Sequence, residues 1–140
     1  MAFEPFKHKT IAVLNKKIET GRAMNALAHM ALGLSRSVPQ EQLRLQDYTD
    51  ADEGRHPQIS DIPFIILRAT SEQLRKLRNE AIERNITHTD FTDTMIGETY
   101  IDQHENTKST KEQDLTYFGV CMFGDWDEIS ALTKKFSLWR

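Results

Sequence analysis

Lys9-Thr-Ile-Ala-Val-Leu-Asn15, then Lys16-Lys-Ile-Glu-Thr20, then Gly21-Arg-Ala-Met-Asn-Ala-Leu-Ala-His29-Met-Ala-Leu-Gly-Leu-Ser-Arg36 decide the fold class. The first run is short, apolar and rich in β-forming residues, which predicts a buried strand. The second is a polar turn. The third carries no proline and is dense in Ala, Leu and Met, so it reads as a long helix. A strand feeding a helix through a short turn is the opening unit of a layered α/β domain.

Downstream the alternation continues. Ser37 to Gln40, with Pro39, stops the helix, and a short strand is read around Leu43 to Tyr48. Asp50 to Asp61, with Gly54 and Pro57, reads as a polar loop. Phe64-Ile-Ile-Leu67 is the strongest strand of the chain. Thr70 with Gln73 forms a capping box, and Leu74, Leu77, Ala81 and Ile82 give the next helix its apolar face. Asn85 is a left-handed stop. Ile86 to Thr92 reads as an edge strand, and His104 to Gln113 as an exposed loop. Leu115 to Phe123 is a further strand, in which Gly119 marks a bulge or a close backbone approach. Asp125 and Glu128 start a last helix with Ile129, Leu132 and Phe136 on one face, and Leu138 and Trp139 are expected to dock. The expectation is one α/β domain over residues 1–140.

Composition narrows the function classes. The 140 residues are 39% apolar and 28% charged with a net charge of −3, ordinary for a globular protein and of the wrong sign for a dedicated nucleic-acid binder. Cys121 is the one cysteine, so no intrachain disulfide can form. The start lacks the apolar core of a signal peptide and no run approaches a membrane span, so a cytoplasmic location off the membrane is expected. Asp50, Asp52 and Gly54 resemble part of a calcium loop, but Asp61 stands where the twelfth-position glutamate is needed, and a solvated turn is the reading. No zinc spacing, phosphate loop or dinucleotide fingerprint occurs, so neither metal nor cofactor is expected.

The first helix carries the candidate site. Projected at 100° per residue, Met24, Leu27, Ala31 and Leu34 make its most apolar side, while Arg22, Asn25, His29, Gly33 and Arg36 form a narrow polar stripe. That stripe is either the helix's one wet edge or the wall of a pocket. Free amides at Gly21 and the Arg22 guanidinium suit an anionic or carbonyl group.

A strand, then Gly21 with a basic residue, then an Ala-rich helix with His29 eight residues after the glycine, is similar to the type-2 peptidyl-tRNA hydrolases. On that alignment Arg22 stands for the family lysine, and Asp93 matches the active-site aspartate. Ala26, Thr92 and Gly97 replace a glutamine, an arginine and a threonine. Over nearly the whole chain the sequence also resembles the domain-of-unknown-function family 2000. Gly21 to Gly33, Asp90-Phe-Thr-Asp93-Thr-Met95, His104, Asp114-Leu115, Gly119-Val120 and Leu138-Trp139-Arg140 carry that likeness. The resemblance implies a three-layer α/β/α sandwich around a mixed four- to five-stranded sheet.

Two functions of different class follow. One is a domain binding a small anionic or carbonyl ligand beside Gly21, Arg22, Asn25, His29 and His104, with Asp93 close by. The other is a hydrolase of an ester or amide bond, of the aminoacyl or peptidyl ester type, with His29 and Asp93 as the acid–base pair. A protein-interaction module without chemistry is the third. The lost positions and the acidic charge favour binding and predict weak tRNA affinity. Apolar Phe3, Phe6, Leu138 and Trp139 at the chain ends predict a symmetric homodimer.

Overall fold

A computed structural model describes residues 5–140. Strand β1 (His8–Asn15) is the centre of a mixed five-stranded sheet ordered β5-β6-β1-β4-β7. It runs parallel to β4 (Phe64–Ala69) and antiparallel to β6 (Tyr117–Asp125). At the edges lie β5 (Thr87–Thr92), antiparallel to β6, and the two-residue β7 (Ser137–Leu138), antiparallel to β4. The edge placement expected for the 86–92 segment holds.

Alternation along β1 sorts its side chains into two cores. Ile11 and Val13 pack with Leu74, Leu77 and Ala81 of α3 (Ser71–Glu83) and with Ile129 and Leu132 of α5 (Trp126–Thr133). Ala12 and Leu14 pack with Ala23, Ala26, Met30 and Leu34 of α1 (Thr20–Ser37). Local signals formed as read. Thr70 caps α3 with the reciprocal Gln73 contact, and Asn85 takes φ 54° at its end. Asp125 accepts from the Glu128 N–H to start α5. The β5–β6 register shifts beside Gly119, and the Met30 methyl of α1 and the Val13 carbonyl of β1 lie close over its bare Cα.

Other expectations are corrected. The polar 50–61 segment contains a strand, β3 (Arg55–Ser60), paired with β2 (Leu45–Thr49) in a hairpin apart from the main sheet. Its register shift falls where Pro57, which has no N–H, would interrupt the ladder. Four residues, Gln40–Leu43, make a short α2 before it. The segment expected as an exposed loop from His104 holds most of helix α4 (Tyr100–Ser109). It buries no side chain and so shows no apolar period. Thr99 caps it by accepting from the Asp102 N–H.

The buried face of α1 is turned from the one projected. Ala23, Ala26, Met30 and Leu34 are buried, whereas Met24 is 63% and Leu32 73% exposed. The run of alanines leaves the apolar arc too wide to locate its centre from the sequence. Ile82, placed on the core face of α3, is exposed. The tail docks through its main chain and Trp139. The Trp139 N–H donates to the Ile66 carbonyl at 2.9 Å, while Leu138 points outward and is 52% exposed. Phe6 stacks on Trp126, and Phe3 lies outside the described residues. Among the described residues no helix is long and apolar enough to cross a membrane.

Candidate functional site

α1 crosses the edge strand β5 and is fastened to it by a side chain. Thr89 Oγ1 donates to the Met30 carbonyl at 2.9 Å. Next to this bond a cavity of about 460 Å³ opens between α1, β5 and the segment leading into α4. Met30, Phe91, Met95 and Ile96 supply its apolar lining, and Asn25, His29 and Gln103 its polar side chains. Asn25 and His29 are one turn apart, so both reach the same opening. The His29 ring lies 6.0 Å from that of Phe91, tilted by 37°, and Phe91 in turn stacks on Phe118 at 5.9 Å. Among the described residues, neither the Asn25 amide nor the His29 imidazole has a hydrogen-bond partner, so both are free for a ligand. Gln103 reaches the Gly97 carbonyl only at 3.5 Å.

The stripe read from the sequence is therefore divided. Asn25 and His29 line this cavity, while Gly21, Arg22, Asp93 and His104 do not. Gly21 and Arg22 are exposed at the start of α1. Asp93 closes the end of β5. Its N–H donates to the Thr116 carbonyl at 2.9 Å, and its carboxylate accepts from the Thr116 N–H at 3.1 Å. His104 is exposed on α4. Thr92 is buried and shares a hydroxyl contact of 2.8 Å with Thr94, which accepts from Thr107 of α4 at 2.8 Å. This chain of hydroxyls ties the far wall of the cavity to the sheet.

Gln103 and Ile96 are not singled out by the sequence, and Phe91 and Met95 enter it only as members of the Asp90–Met95 block. The available signal was the Thr99-x-x-Asp102 cap, which would have placed Gln103 on a helix beside the Asp90–Met95 block.

On the other face of the sheet stands a cluster of partly buried charges. Arg78 Nε lies 3.5 Å from Asp90 Oδ2. Burial raises the Asp90 carboxyl above its ordinary range, against the opposing pull of Arg78. Glu112 accepts from the Tyr117 hydroxyl at 2.8 Å and pairs with Arg75, and these contacts, the tyrosine first, hold its carboxyl low. Burial, then the bond to Glu112, pushes the Tyr117 phenol up to about 12. Arg75 also donates to the carbonyls of Glu112 at 2.5 Å and Leu115 at 2.7 Å, which fixes the turn into β6. Among the described residues no three His, Cys, Asp or Glu side chains are grouped to hold a metal ion.

The model of the family described as "Protein of unknown function (DUF2000)" matches residues 8–140. The chain belongs to that family. A solved structure of a protein of unknown function from Agrobacterium tumefaciens strain C58 superposes with a TM-score of 0.82. The match covers 97% of this chain and 100% of that one at 18% identity. At that identity the likeness bears on the fold alone. No curated protein matches the chain.

Proposed function

We propose that this member of the family binds a small, carbonyl-bearing ligand in the cavity between α1 and β5. The observation that carries the reading is the pairing of two unengaged polar side chains, Asn25 and His29, above an apolar lining that includes Phe91 and Met30. Binding sites commonly take this form, an apolar concavity with a few convergent polar groups that set orientation. The amides of Asn25 and Gln103 offer donors to a carbonyl, and His29 offers a donor or an acceptor. Among the described residues no Lys or Arg lines the cavity, which favours a neutral carbonyl over an anion.

A binding role stands ahead of hydrolysis because, among the described residues, no carboxylate pairs with His29. The Asp93 carboxylate is engaged by the Thr116 N–H, and that of Asp90 faces Arg78. The two cores on opposite sides of β1 support a three-layer α/β/α arrangement; its kinship with the type-2 peptidyl-tRNA hydrolases is proposed on the sequence resemblance of Gly21, His29 and Asp93 alone. Weak tRNA binding accords with the net charge of −3.

The test is a thermal-shift screen of small amides, esters and carboxylates against the wild type, Asn25→Ala, His29→Ala, Arg22→Ala and Asp93→Asn. A ligand should stabilise the wild type, Arg22→Ala and Asp93→Asn, and lose its effect on Asn25→Ala and His29→Ala. Loss confined to Arg22→Ala would move the site to the start of α1. Turnover of an ester that vanishes in Asp93→Asn would restore the hydrolase.

A further inference from the structure

The cavity borders main chain that the fold leaves unpaired. Among the described residues β5 is the last strand of its sheet, and one side of its backbone has no neighbouring strand. Main-chain groups of an antiparallel strand alternate between its two sides. The Asp93 N–H points to the β6 side, where it meets the carbonyl of Thr116, the residue before that strand. The register shift beside it adds its extra residue, Phe118, on β6 and leaves the alternation of β5 intact. Counting back in twos, Phe91 and Thr89 also face β6, and Asp90 and His88 present N–H and C=O outward. Among the described residues no hydrogen bond reaches the main chain of Asp90 or His88 from that outer side.

Asp90 is nevertheless part of the cavity lining. Its carboxylate lies on the other face against Arg78, so the portion that borders the cavity is main chain. The open edge and the cavity thus form one continuous surface. It offers a donor and an acceptor in line, beside an apolar recess lined by Phe91, Met30, Met95 and Ile96.

We infer that this surface receives an extended segment of another polypeptide, which pairs with the Asp90 main chain and inserts one apolar side chain into the recess. Strand addition of this kind draws affinity from main-chain hydrogen bonds and specificity from pockets for alternate side chains. A single carbonyl ligand would use the recess alone, whereas an extended chain also satisfies the Asp90 N–H and C=O. The inference rests on the proposed binding role of the cavity and names its ligand class as peptide.

The experiment starts from a phage-displayed library of random heptapeptides selected on the unaltered full chain. Recovered peptides are then synthesised with single N-methyl groups at each main-chain nitrogen. An apolar residue should be enriched at one central position. Methylation of the nitrogen facing the Asp90 carbonyl should weaken binding about tenfold or more, because a paired donor is lost and its acceptor left dry. The Asp90 amide resonance should shift and its hydrogen exchange slow on binding. Failure to recover any peptide, or binders indifferent to every N-methyl group, overturns the inference. In that event N-acetyl-leucinamide and similar small amides, tested on the same protein, show separately whether the cavity binds at all. An edge already protected by self-association, seen as slow Asp90 exchange that speeds up on dilution, also overturns it in favour of a second copy as the occupant.

Discussion

A β-carbon on Gly119 would stand 2.7 Å from Met30 Cε, the methyl group with which α1 reaches the sheet. It would also lie 2.9 Å from Leu14 Cδ2 and 3.2 Å from the Val13 carbonyl oxygen. The bare Cα of this glycine leaves the space that the Met30 methyl occupies, and Met30 is at the same time part of the cavity lining. Packing of the core and shape of the candidate site therefore meet at one residue pair.

Gly119→Ala should accordingly lower stability by about 1–3 kcal/mol, the usual cost of forcing a methyl into a filled core. The Met30 and Leu14 tips can turn aside, but the Val13 carbonyl is backbone and gives less. Denaturant unfolding checks the cost. Displacement of Met30 should also reduce the affinity of any ligand found for the cavity, whereas a variant that fills space on the α3 face should leave it unchanged.

Burial sets a second expectation, at alkaline pH. The Cys121 thiol is completely buried, and burial pushes it up to about 12 from an ordinary 9.0. The Tyr117 phenol is raised to about 12 from 10.0. Both folded values lie above the unfolded ones, so the unfolded chain releases its protons first. Stability from these groups is complete below pH 9 and falls as pH rises from about 9 toward 12. Unfolding monitored against pH should show that loss. Iodoacetamide should leave Cys121 unmodified in the native protein and label it only as unfolding sets in; rapid labelling at pH 8 would contradict the burial.

Helix α3 depends on its cap. Thr70 Oγ1 accepts from the Gln73 N–H at 3.3 Å, and the Gln73 side chain returns a contact to the Thr70 N–H at 3.0 Å. Thr70→Ala should cost about 0.5–2 kcal/mol, with Thr70→Ser recovering most of it. At the other end, Asn85 adopts φ 54°. Asn85→Gly should be tolerated there, and Asn85→Val should be worse than either, because a branched side chain resists the left-handed region. Thermal melts of these variants order the effects.

What could be read from the sequence divides along physical lines. Lys9 to Asn15, the Thr70–Gln73 box, Asn85 and Gly119 were legible because each carries its reason locally, in an apolar run, a cap or a backbone demand. Strand β3 and helix α4 were not, because neither Arg55–Ser60 nor Tyr100–Ser109 buries a face that would impose a period. The polar stripe of α1 was visible, yet the alanines around it hid which way the helix turns. The sequence therefore brought Asn25 and His29 to notice and left their neighbours undecided. Asp93 drew attention through resemblance, while it is Asp90, three residues earlier, whose main chain borders the cavity. Strand alternation separates the two, and alternation is visible only once the pairing partner is known.

The Arg78–Asp90 pair yields the sharpest test of the charged face. Both side chains are more than two-thirds buried, at 28% and 21% exposure. Removing one partner leaves the other charge in a poorly solvated place, which costs more than the pair contributes. Arg78→Met should thus destabilise by roughly 2–3 kcal/mol, less than the ~3–5 kcal/mol of a fully buried pair because solvent still reaches part of it. Removing both charges, Arg78→Met with Asp90→Asn, should recover most of that loss. The pH dependence supplies an independent sign. The Asp90 carboxyl is raised by burial and held down by Arg78. Without the arginine it rises further, so the folded state binds its proton more tightly than the unfolded chain does. In Arg78→Met, the stability contributed by Asp90 should therefore be complete below the ordinary carboxylate range and be lost as pH rises through the elevated value. The double variant should lack that fall. A single variant as stable as the wild type at neutral pH, with no such slope, would mean that the pair is solvated and Asp90 unstrained. Because Asp90→Asn leaves the main chain of β5 in place, the double variant should also keep its affinity for a strand-adding peptide, which separates the electrostatics of this face from the recognition edge on the other.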